Sequence, residues 1–418
     1  MLRLNGLRIT AFKDLLQASG ILFLASGFVN VCNLFFWLFM VRRLNAVDYG
    51  ILNALFSMFM ILSLPGGTIQ TVIAKFVAQF YGTNEFSKVK FFMIHVGKRV
   101  IIFSLLFLAL FVGLAPAISG FLKIPVVSLV VITGCVLFLS IISPLTIGIL
   151  QGAQRFAAMA LNGILGAVLK LFFGILLVMV GLKVMGALLG FGLAVVFALL
   201  ISFFQIPSQI VTAKKDGAIQ LRMVSVYKYS IPVFLSLFSW MVLTNGDVIL
   251  VKHFFSPEDA GFYSVAQMVG KIILFLPAVF GVVLFPKMSE AFSQQKASLP
   301  LLKKGLAITA FLCMGASIFC GLFPGLVLKI LTHKEAIESI RLVPLFCIAM
   351  TFYALVNQFL LYNLAIHRFR FAVYLVAATV LQLGLIYLWH PSLSAVIYLL
   401  ILNASLLFIS GSLEIMKA

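Results

Sequence analysis

The chain has 418 residues, of which 63% are hydrophobic and only 10% charged, whereas soluble globular chains run roughly half apolar and a quarter charged. That composition excludes a soluble enzyme or binding domain, and the alternating pattern of an outer-membrane barrel is absent. The formal net charge of +19 would suggest nucleic acid as the partner of a soluble chain. Here basic residues collect in loops on the cytoplasmic side of a membrane protein, and no nucleic-acid partner is expected.

Runs of about 20 apolar residues, each long enough to cross a hydrocarbon core of roughly 30 Å, recur from end to end. They give twelve predicted spans: 15–40, 48–80, 98–120, 126–150, 158–181, 183–205, 229–253, 257–287, 304–326, 342–364, 370–389 and 392–413. The first run is too long for a signal-peptide core and is read as the first transmembrane helix. The second and eighth approach 30 residues, about 45 Å of helix. Each carries a proline in mid-span, Pro65 and Pro277, which removes a backbone hydrogen bond and favours a kink. Both are hinge candidates, and a fixed bend explains them equally well. The five cysteines fall inside apolar spans without metal or disulfide spacing, so they are read as packing residues and no metal site is expected. The five histidines form no cluster, and the 43 phenylalanines are read as lipid-facing and packing bulk.

The chain repeats itself once. Asn45-Ala46-Val47-Asp48-Tyr49-Gly50 is echoed 211 residues later by Ser256-Pro257-Glu258-Asp259-Ala260-Gly261. Pro65 is matched by Pro277, Lys75 by Lys287 and Arg155-Phe156 by Arg368-Phe369. Asn45 and Ser256 are each predicted to cap a helix, with Pro257 at the favoured first helical position. Asp48, Glu258 and Asp259 complement the helix dipole. A membrane chain that repeats once is usually a transporter built from two similar bundles.

The loops set orientation. With the N-terminus inside, 20 basic residues lie inside and 8 outside, while Lys170 and Lys271 fall within spans. The bias places both termini in the cytoplasm. Six spans per half make the repeat parallel. The expected fold is an all-α polytopic membrane protein: twelve transmembrane helices in two six-helix bundles, residues 1–205 and 229–418, joined by a cytoplasmic linker at 206–228. A pseudo-two-fold axis along the membrane normal relates the bundles. No loop exceeds about 25 residues, which leaves no room for a separate catalytic domain, and the chain is not expected to be an enzyme.

Three groups of residues carry a resemblance. Val41-Arg42-Arg43-Leu44 runs into Asp48-Tyr49-Gly50; Gly152-Ala153-Gln154-Arg155-Phe156 follows the fourth span; Asp247-Val248-Ile249-Leu250-Val251 runs into the second copy of the repeat. In order and spacing the whole chain resembles the polysaccharide exporters of the MOP flippase superfamily, in the Wzx-type branch that flips lipid-linked oligosaccharides. The resemblance implies two bundles around a central cavity. It implies alternating access that moves an undecaprenyl-pyrophosphate-linked sugar across the cytoplasmic (inner) membrane, for cell-surface polysaccharide biosynthesis. The implied partners are the lipid-linked oligosaccharide, the bilayer, and a polysaccharide polymerase or glycosyltransferases. No cofactor is implied beyond a proton or sodium gradient. A lipid II flippase and a multidrug exporter of the same superfamily share the architecture and stay open. A drug exporter should carry more acidic residues in its cavity. A major-facilitator transporter lacks support, because the loop after the second span reads Tyr81-Gly82-Thr83-Asn84-Glu85.

A pyrophosphate headgroup needs a polar, preferably cationic path, and charges inside spans are costly and therefore informative. Lys170 and Lys271 lie about 18 and 21 Å along the fifth and eighth spans, near mid-membrane, one in each half. They are the first candidates for binding the anion; snorkelling or a buried ion pair is the competing reading. Asp247 is the carboxylate well inside a span. It is an ion-coupling candidate, or a structural partner of Lys271 that doubtfully reaches it. Arg42 and Arg43 at the outer mouth, and Lys75, Arg155, Lys287 and Arg368 at the inner mouth, can guide an anionic headgroup, although topology alone accounts for most of them. Asn30, Asn33, Gln70, Asn162, Gln267, Asn357 and Gln358 can bond sugars or, more commonly, join helices.

Overall fold

The computed structural model describes residues 2–213, 224–333, 336–368 and 370–416. Side chains are described from residue 20 onward, except at 214–230, 278, 279, 282, 283, 286, 293, 334, 335, 369, 417 and 418. Most of the predicted linker, Phe369 of the repeat, and the basic side chains of Arg3, Arg8, Lys13, Lys214, Lys215, Arg222, Lys228, Lys334 and Lys417 lie outside that set.

Among the described residues the chain is helical and has no strand. In order, the helices are α1 (Leu2–Arg43), α2 (Ala46–Leu62), α3 (Leu64–Gly82), α4 (Phe86–Gly113), α5 (Ala115–Phe121), α6 (Val127–Gly152), α7 (Phe156–Leu177), α8 (Lys183–Phe204), α9 (Ser208–Thr212), α10 (Val224–Phe254), α11 (Pro257–Phe275), α12 (Ala278–Ser293), α13 (Leu299–Leu322), α14 (Pro324–Thr332), α15 (Ile337–Ala365), α16 (Arg370–Leu388) and α17 (Leu393–Met416). Ten described stretches are long and apolar enough to cross a membrane. One of them, Phe156–Phe204, holds both α7 and α8, and the eighth predicted span, divided into α11 and α12, falls outside the ten. Each predicted span is therefore a helix or a broken helix. Large side chains such as Leu106, Phe204 and Phe311 stand exposed at 66%, 83% and 79%. A surface so apolar faces lipid rather than water, and the chain is a multi-pass membrane protein.

Both predicted caps form. The Asn45 side chain accepts the Asp48 N–H at 2.7 Å, and the Ser256 hydroxyl accepts the Asp259 N–H at 3.1 Å. Both long spans break at their prolines. α2 ends before Ser63 and Pro65 opens α3; α11 ends at Phe275 and Pro277 precedes α12. In the loop before α4, Lys88 donates to Glu85 at 2.6 Å and holds that exposed carboxyl below the usual carboxylate range.

The chain divides into two compact units. The first comprises Met1–Phe39, Pro65–Ala117 and Val126–Met223; the second comprises Met40–Leu64, Ile118–Pro125 and Val224–Ala418. Within the first, α6 lies against α3 through Gly148 and Gly152. A Cβ at Gly152 would meet Val77 Cβ at 2.6 Å and the Ala74 oxygen at 2.7 Å. Small residues four apart permit such close backbone approach. Gln70 donates to Gln151 at 2.9 Å across the same contact. α7 and α8 form an antiparallel hairpin closed by a π-helical turn at Val178–Leu182, where Gly181 has φ +101°, a conformation that suits glycine.

The units depart from the two sequence halves, because Met40–Leu64 and Ile118–Pro125 pack within the second unit. Specific contacts explain this. Gly50 and Gly261, equivalent residues of the repeat, touch. A Cβ on Gly50 would lie 3.0 Å from Gly261 Cα, and one on Gly261 would lie 2.2 Å from the Ala46 oxygen. Contact between equivalent positions marks the place where the repeat meets itself. Arg42 donates to the oxygens of Ile330 and Leu331 at 2.8 and 2.9 Å, placing a cation on the C-terminal end of α14 as the helix dipole favours. Lys123 caps α10 in the same way through Phe254 and Phe255 oxygens, and His253 stacks on Phe121 at 3.9 Å.

Candidate functional site

The two mid-span lysines stand in different units, and each is held by an amide rather than an acid. Lys170 of α7 is half-buried and donates to the Asn33 side-chain oxygen of α1, with its ammonium 4.9 Å from the Phe36 ring centre and 5.7 Å from that of Phe191. Such aromatic faces attract a cation without neutralising it. Lys271 of α11, also half-buried, donates to Asn245 of α10 at 2.9 Å. The Lys88–Glu85 contact is the one ion pair among the described residues. Neither lysine, then, is charge-compensated by a contacting carboxylate.

Lys271 belongs to a polar seam. On α11, Tyr263, Gln267 and Lys271 recur every four residues and so share one face. On α10, Asp247 is fully buried and accepts from the Tyr263 hydroxyl at 2.8 Å and from Gln267 at 2.9 Å, both through Oδ2. Its Oδ1 is buried and has no hydrogen-bond partner. The direct Asp247–Lys271 pair is not made; Asn245 takes the ammonium instead, and the lysine acts on Asp247 only through space. Gln267 is tied in turn to Asn53 of α2 at 3.1 Å. The seam thus runs from α10 across α11 to the first copy of the repeat. A buried carboxylate with one unsatisfied oxygen and two neutral donors is chemically suited to take up a proton or a small cation.

The remaining candidates are spread out. Arg42 is engaged at the end of α14. Arg43, Lys75, Arg155, Lys287 and Arg368 are exposed; Arg155 makes one long bond, 3.4 Å, to the Gln205 oxygen. Among the amides, Asn33 serves Lys170, Gln70 joins α3 to α6, and Asn162 donates to the Ala198 oxygen at 2.7 Å across the α7–α8 hairpin. Joining helices is the dominant use.

Sequence reading missed several participants. Tyr353, Gln382 and Asn403 form a second buried network in the C-terminal unit: Tyr353 and Asn403 donate to Gln382 Oε1 at 2.6 and 2.9 Å. Single tyrosines and amides in apolar runs carry no spacing signal. The Tyr263–Gln267–Lys271 ladder was readable as a four-residue period. Lys252, in the last turn of α10, is 1% exposed with its ammonium unpartnered.

Residues 95–341 match the family model described as polysaccharide biosynthesis protein. No curated protein matches the chain. Solved structures do. An inward-facing multidrug resistance MATE family transporter of the MOP superfamily superposes with TM-score 0.76 at 14% identity, covering 93% of this chain and 95% of that one. The lipid II flippase MurJ, in an inward closed conformation, gives 0.74 at 15% identity, covering 95% and 87%. A MOP superfamily transporter from Pyrococcus furiosus, whose binding pocket of reverse polarity suggests a different function, gives 0.63 at 15% identity, covering 97% and 96%. The chain has the fold of these two transporters and this flippase.

Proposed function

We propose, from the premise that this chain belongs to the polysaccharide biosynthesis protein family, that it flips an undecaprenyl-pyrophosphate-linked oligosaccharide across the cytoplasmic membrane by alternating access. The observation that carries the reading is the pair of mid-span lysines, Lys170 and Lys271, one in each unit, each held by a neutral asparagine oxygen and neither in contact with a carboxylate. A cation deep in a membrane protein without a contacting carboxylate is costly, and a mobile anion that meets it offsets that cost. A pyrophosphate supplies that anion, while the polyprenyl tail stays in hydrocarbon. Two lysines against the single deep carboxylate Asp247 favour an anionic cargo over cationic drugs.

In this account both termini are cytoplasmic. The exposed Lys75, Arg155, Lys287 and Arg368 collect the headgroup on the inner side, and Arg43 meets it on the outer side. Asp247, with its free Oδ1, is the site where a proton or sodium ion couples to transport. Pro65 is the hinge the chain division supports best: the break between α2 and α3 falls where the chain passes from the second unit to the first. Pro277 breaks its span in the equivalent place. A lipid II flippase would use the same residues, since its headgroup carries the same pyrophosphate. The test is cargo competition in proteoliposomes: flipping of labelled lipid-linked oligosaccharide, challenged with lipid II and with a cationic dye. Inhibition by unlabelled oligosaccharide lipid alone supports the reading. Equal inhibition by lipid II moves the assignment to that cargo, and inhibition by the dye alone overturns it.

A further inference from the structure

Both ends of the Asp247 network carry a buried oxygen that nothing satisfies. At one end is Asp247 Oδ1. At the other is the hydroxyl of Ser57 on α2, which is 1% exposed and has no hydrogen-bond partner. Other buried hydroxyls in these helices donate to the carbonyl four residues back, as Ser104, Thr133 and Ser264 do at 2.7, 2.8 and 2.8 Å. The corresponding carbonyl for Ser57 belongs to Asn53, and that bond is not made. Unsatisfied buried groups are uncommon in folded proteins and call for a physical reason.

Two amides in series join these ends. Asn53 Nδ2 donates to Gln267 Oε1 at 3.1 Å, and Gln267 Nε2 donates to Asp247 Oδ2 at 2.9 Å. All three side chains are buried. Chemistry fixes the direction of the chain. An ionised carboxylate only accepts, so Gln267 turns its nitrogen to Asp247 and its oxygen to Asn53. A cation on Asp247 reverses that demand. A protonated carboxyl has a hydrogen to donate, and a sodium ion, as a hard cation, takes oxygen ligands. Oδ1 has no hydrogen-bond partner, so the hydrogen finds an acceptor from the Oδ2 side, where Gln267 stands. Either ion therefore calls for Gln267 Oε1 where Nε2 now points, and the amide turns end for end. Its nitrogen then meets the nitrogen of Asn53, which turns in its own right. The acceptor awaiting the turned Asn53 is the Ser57 hydroxyl, four residues on along the same face of α2, with Cβ atoms about 5–6 Å apart.

We propose that Gln267 and Asn53 are positioning residues that relay ion occupancy at Asp247 to α2. With Asp247 ionised both amides stand as seen; with a proton or sodium ion bound both turn, and the chain ends on Ser57. The inference rests on Asp247 being the coupling site and adds how its occupancy is felt elsewhere. The relay has two discrete arrangements, as coupling between separated positions requires. From Ser57, α2 runs on to the break at Ser63 and Pro65, where the chain passes from the second unit to the first. The other ionisable groups facing Asp247 are Tyr263 and Lys271 of α11 and, through space, Tyr353 of α15. Tyrosine hydroxyls are neutral at physiological pH, and the Lys271 ammonium is held by Asn245, so the carboxylate is the member that changes charge.

The test uses the full-length protein in nanodiscs with p-trifluoromethylphenylalanine at Met60, a lipid-exposed position on α2 between Ser57 and the break. Its fluorine resonance is followed through a pH series and, at fixed pH, through a sodium series; the arm that moves it names the ion. Ion binding is read separately, as the change in thermal unfolding midpoint that the ion produces. In the otherwise wild-type protein the resonance should move with the ion. Asp247→Asn, whose amide can donate as the neutral acid does, should stand at the ion-bound position throughout. Asn53→Leu should keep the ion-dependent midpoint and lose the movement. Ser57→Ala breaks no bond seen in the structure and removes an unsatisfied group, so it should fold at least as well as wild type and yet lose most of the movement; it decides the matter if Asn53→Leu does not fold. Full movement in Ser57→Ala, or an ion-dependent midpoint in wild type without movement, overturns the relay and leaves the coupling site. Neither movement nor a midpoint change with either ion removes Asp247 as the coupling site and the relay with it, while the cargo reading stands on the competition assay.

Discussion

Replacing Gly261 by alanine tests the contact that ties the two copies of the repeat together. The new methyl carbon would stand 2.2 Å from the Ala46 oxygen and 2.4 Å from its carbonyl carbon. Both are backbone atoms that no rotamer change can move, so α2 and α11 must part by about 1 Å to restore ordinary contact. Overpacking of this kind costs roughly 1–3 kcal/mol, and alanine returns up to about 1 kcal/mol of helix propensity. Separation also stretches the Asn53–Gln267 bond, now 3.1 Å and buried, at about 1 kcal/mol. The net loss is roughly 1–3 kcal/mol. At about 2–4 °C per kcal/mol for a unit of this size, the unfolding midpoint in detergent should fall by about 2–12 °C. Gly67→Ala is the control: nothing lies within 4 Å of its added carbon, and it should match or slightly exceed wild type. Equal midpoints for the two variants would refute the argument that the repeat meets itself through these glycines.

Three further outcomes follow from the same geometry. Tyr263→Phe removes one of the two donors to the buried Asp247; thermal unfolding should show a loss of about 1.5–3 kcal/mol, and Asp247→Asn combined with it should show less than the sum of the single effects. Arg42→Ala uncaps α14 and should lower the unfolding midpoint by a degree or more at about 1 kcal/mol while the flipping rate per folded molecule stays at the wild-type value; a selective loss of flipping would return Arg42 to the substrate path. Glu85 has its carboxyl lowered by the Lys88 bond, so its stabilising contribution is present above the ordinary carboxylate range and is lost as pH falls through the lowered value. The stability difference between wild type and Glu85→Gln should therefore be larger at neutral pH than in acid, and a difference that grew on acidification would contradict the assignment.

The fold was legible because its signals are local. Apolar run length located the spans, Asn45 and Ser256 announced the helix starts, and Pro65 and Pro277 marked the breaks. The division into units was less legible. It depends on Gly50 touching Gly261 and on Arg42 and Lys123 capping distant helices, contacts between residues that chain order does not pair. Of the candidate site, Lys170, Lys271 and Asp247 stood out because charge in an apolar run is rare. Their partners did not: Tyr263 and Asn245 are ordinary residues until a helix period and a neighbouring helix bring them to the acid and the lysine. Arg42 shows the converse, a charge at a span end that looked available and is committed to carbonyl oxygens.

The measurement that bears most directly on the central claim is flipping in proteoliposomes. A labelled undecaprenyl-pyrophosphate oligosaccharide would be loaded and its access to an external sugar-modifying enzyme followed, with and without a pH gradient. The account predicts protein-dependent flipping. Lys170→Ala with Lys271→Ala should reduce it about ten- to a hundredfold, the equivalent of losing roughly 1.5–3 kcal/mol of charge-assisted contact, in protein that still folds, and Asp247→Asn should lose the response to the gradient. Flipping no faster than in empty liposomes, or a double-lysine variant as active as wild type, would contradict it.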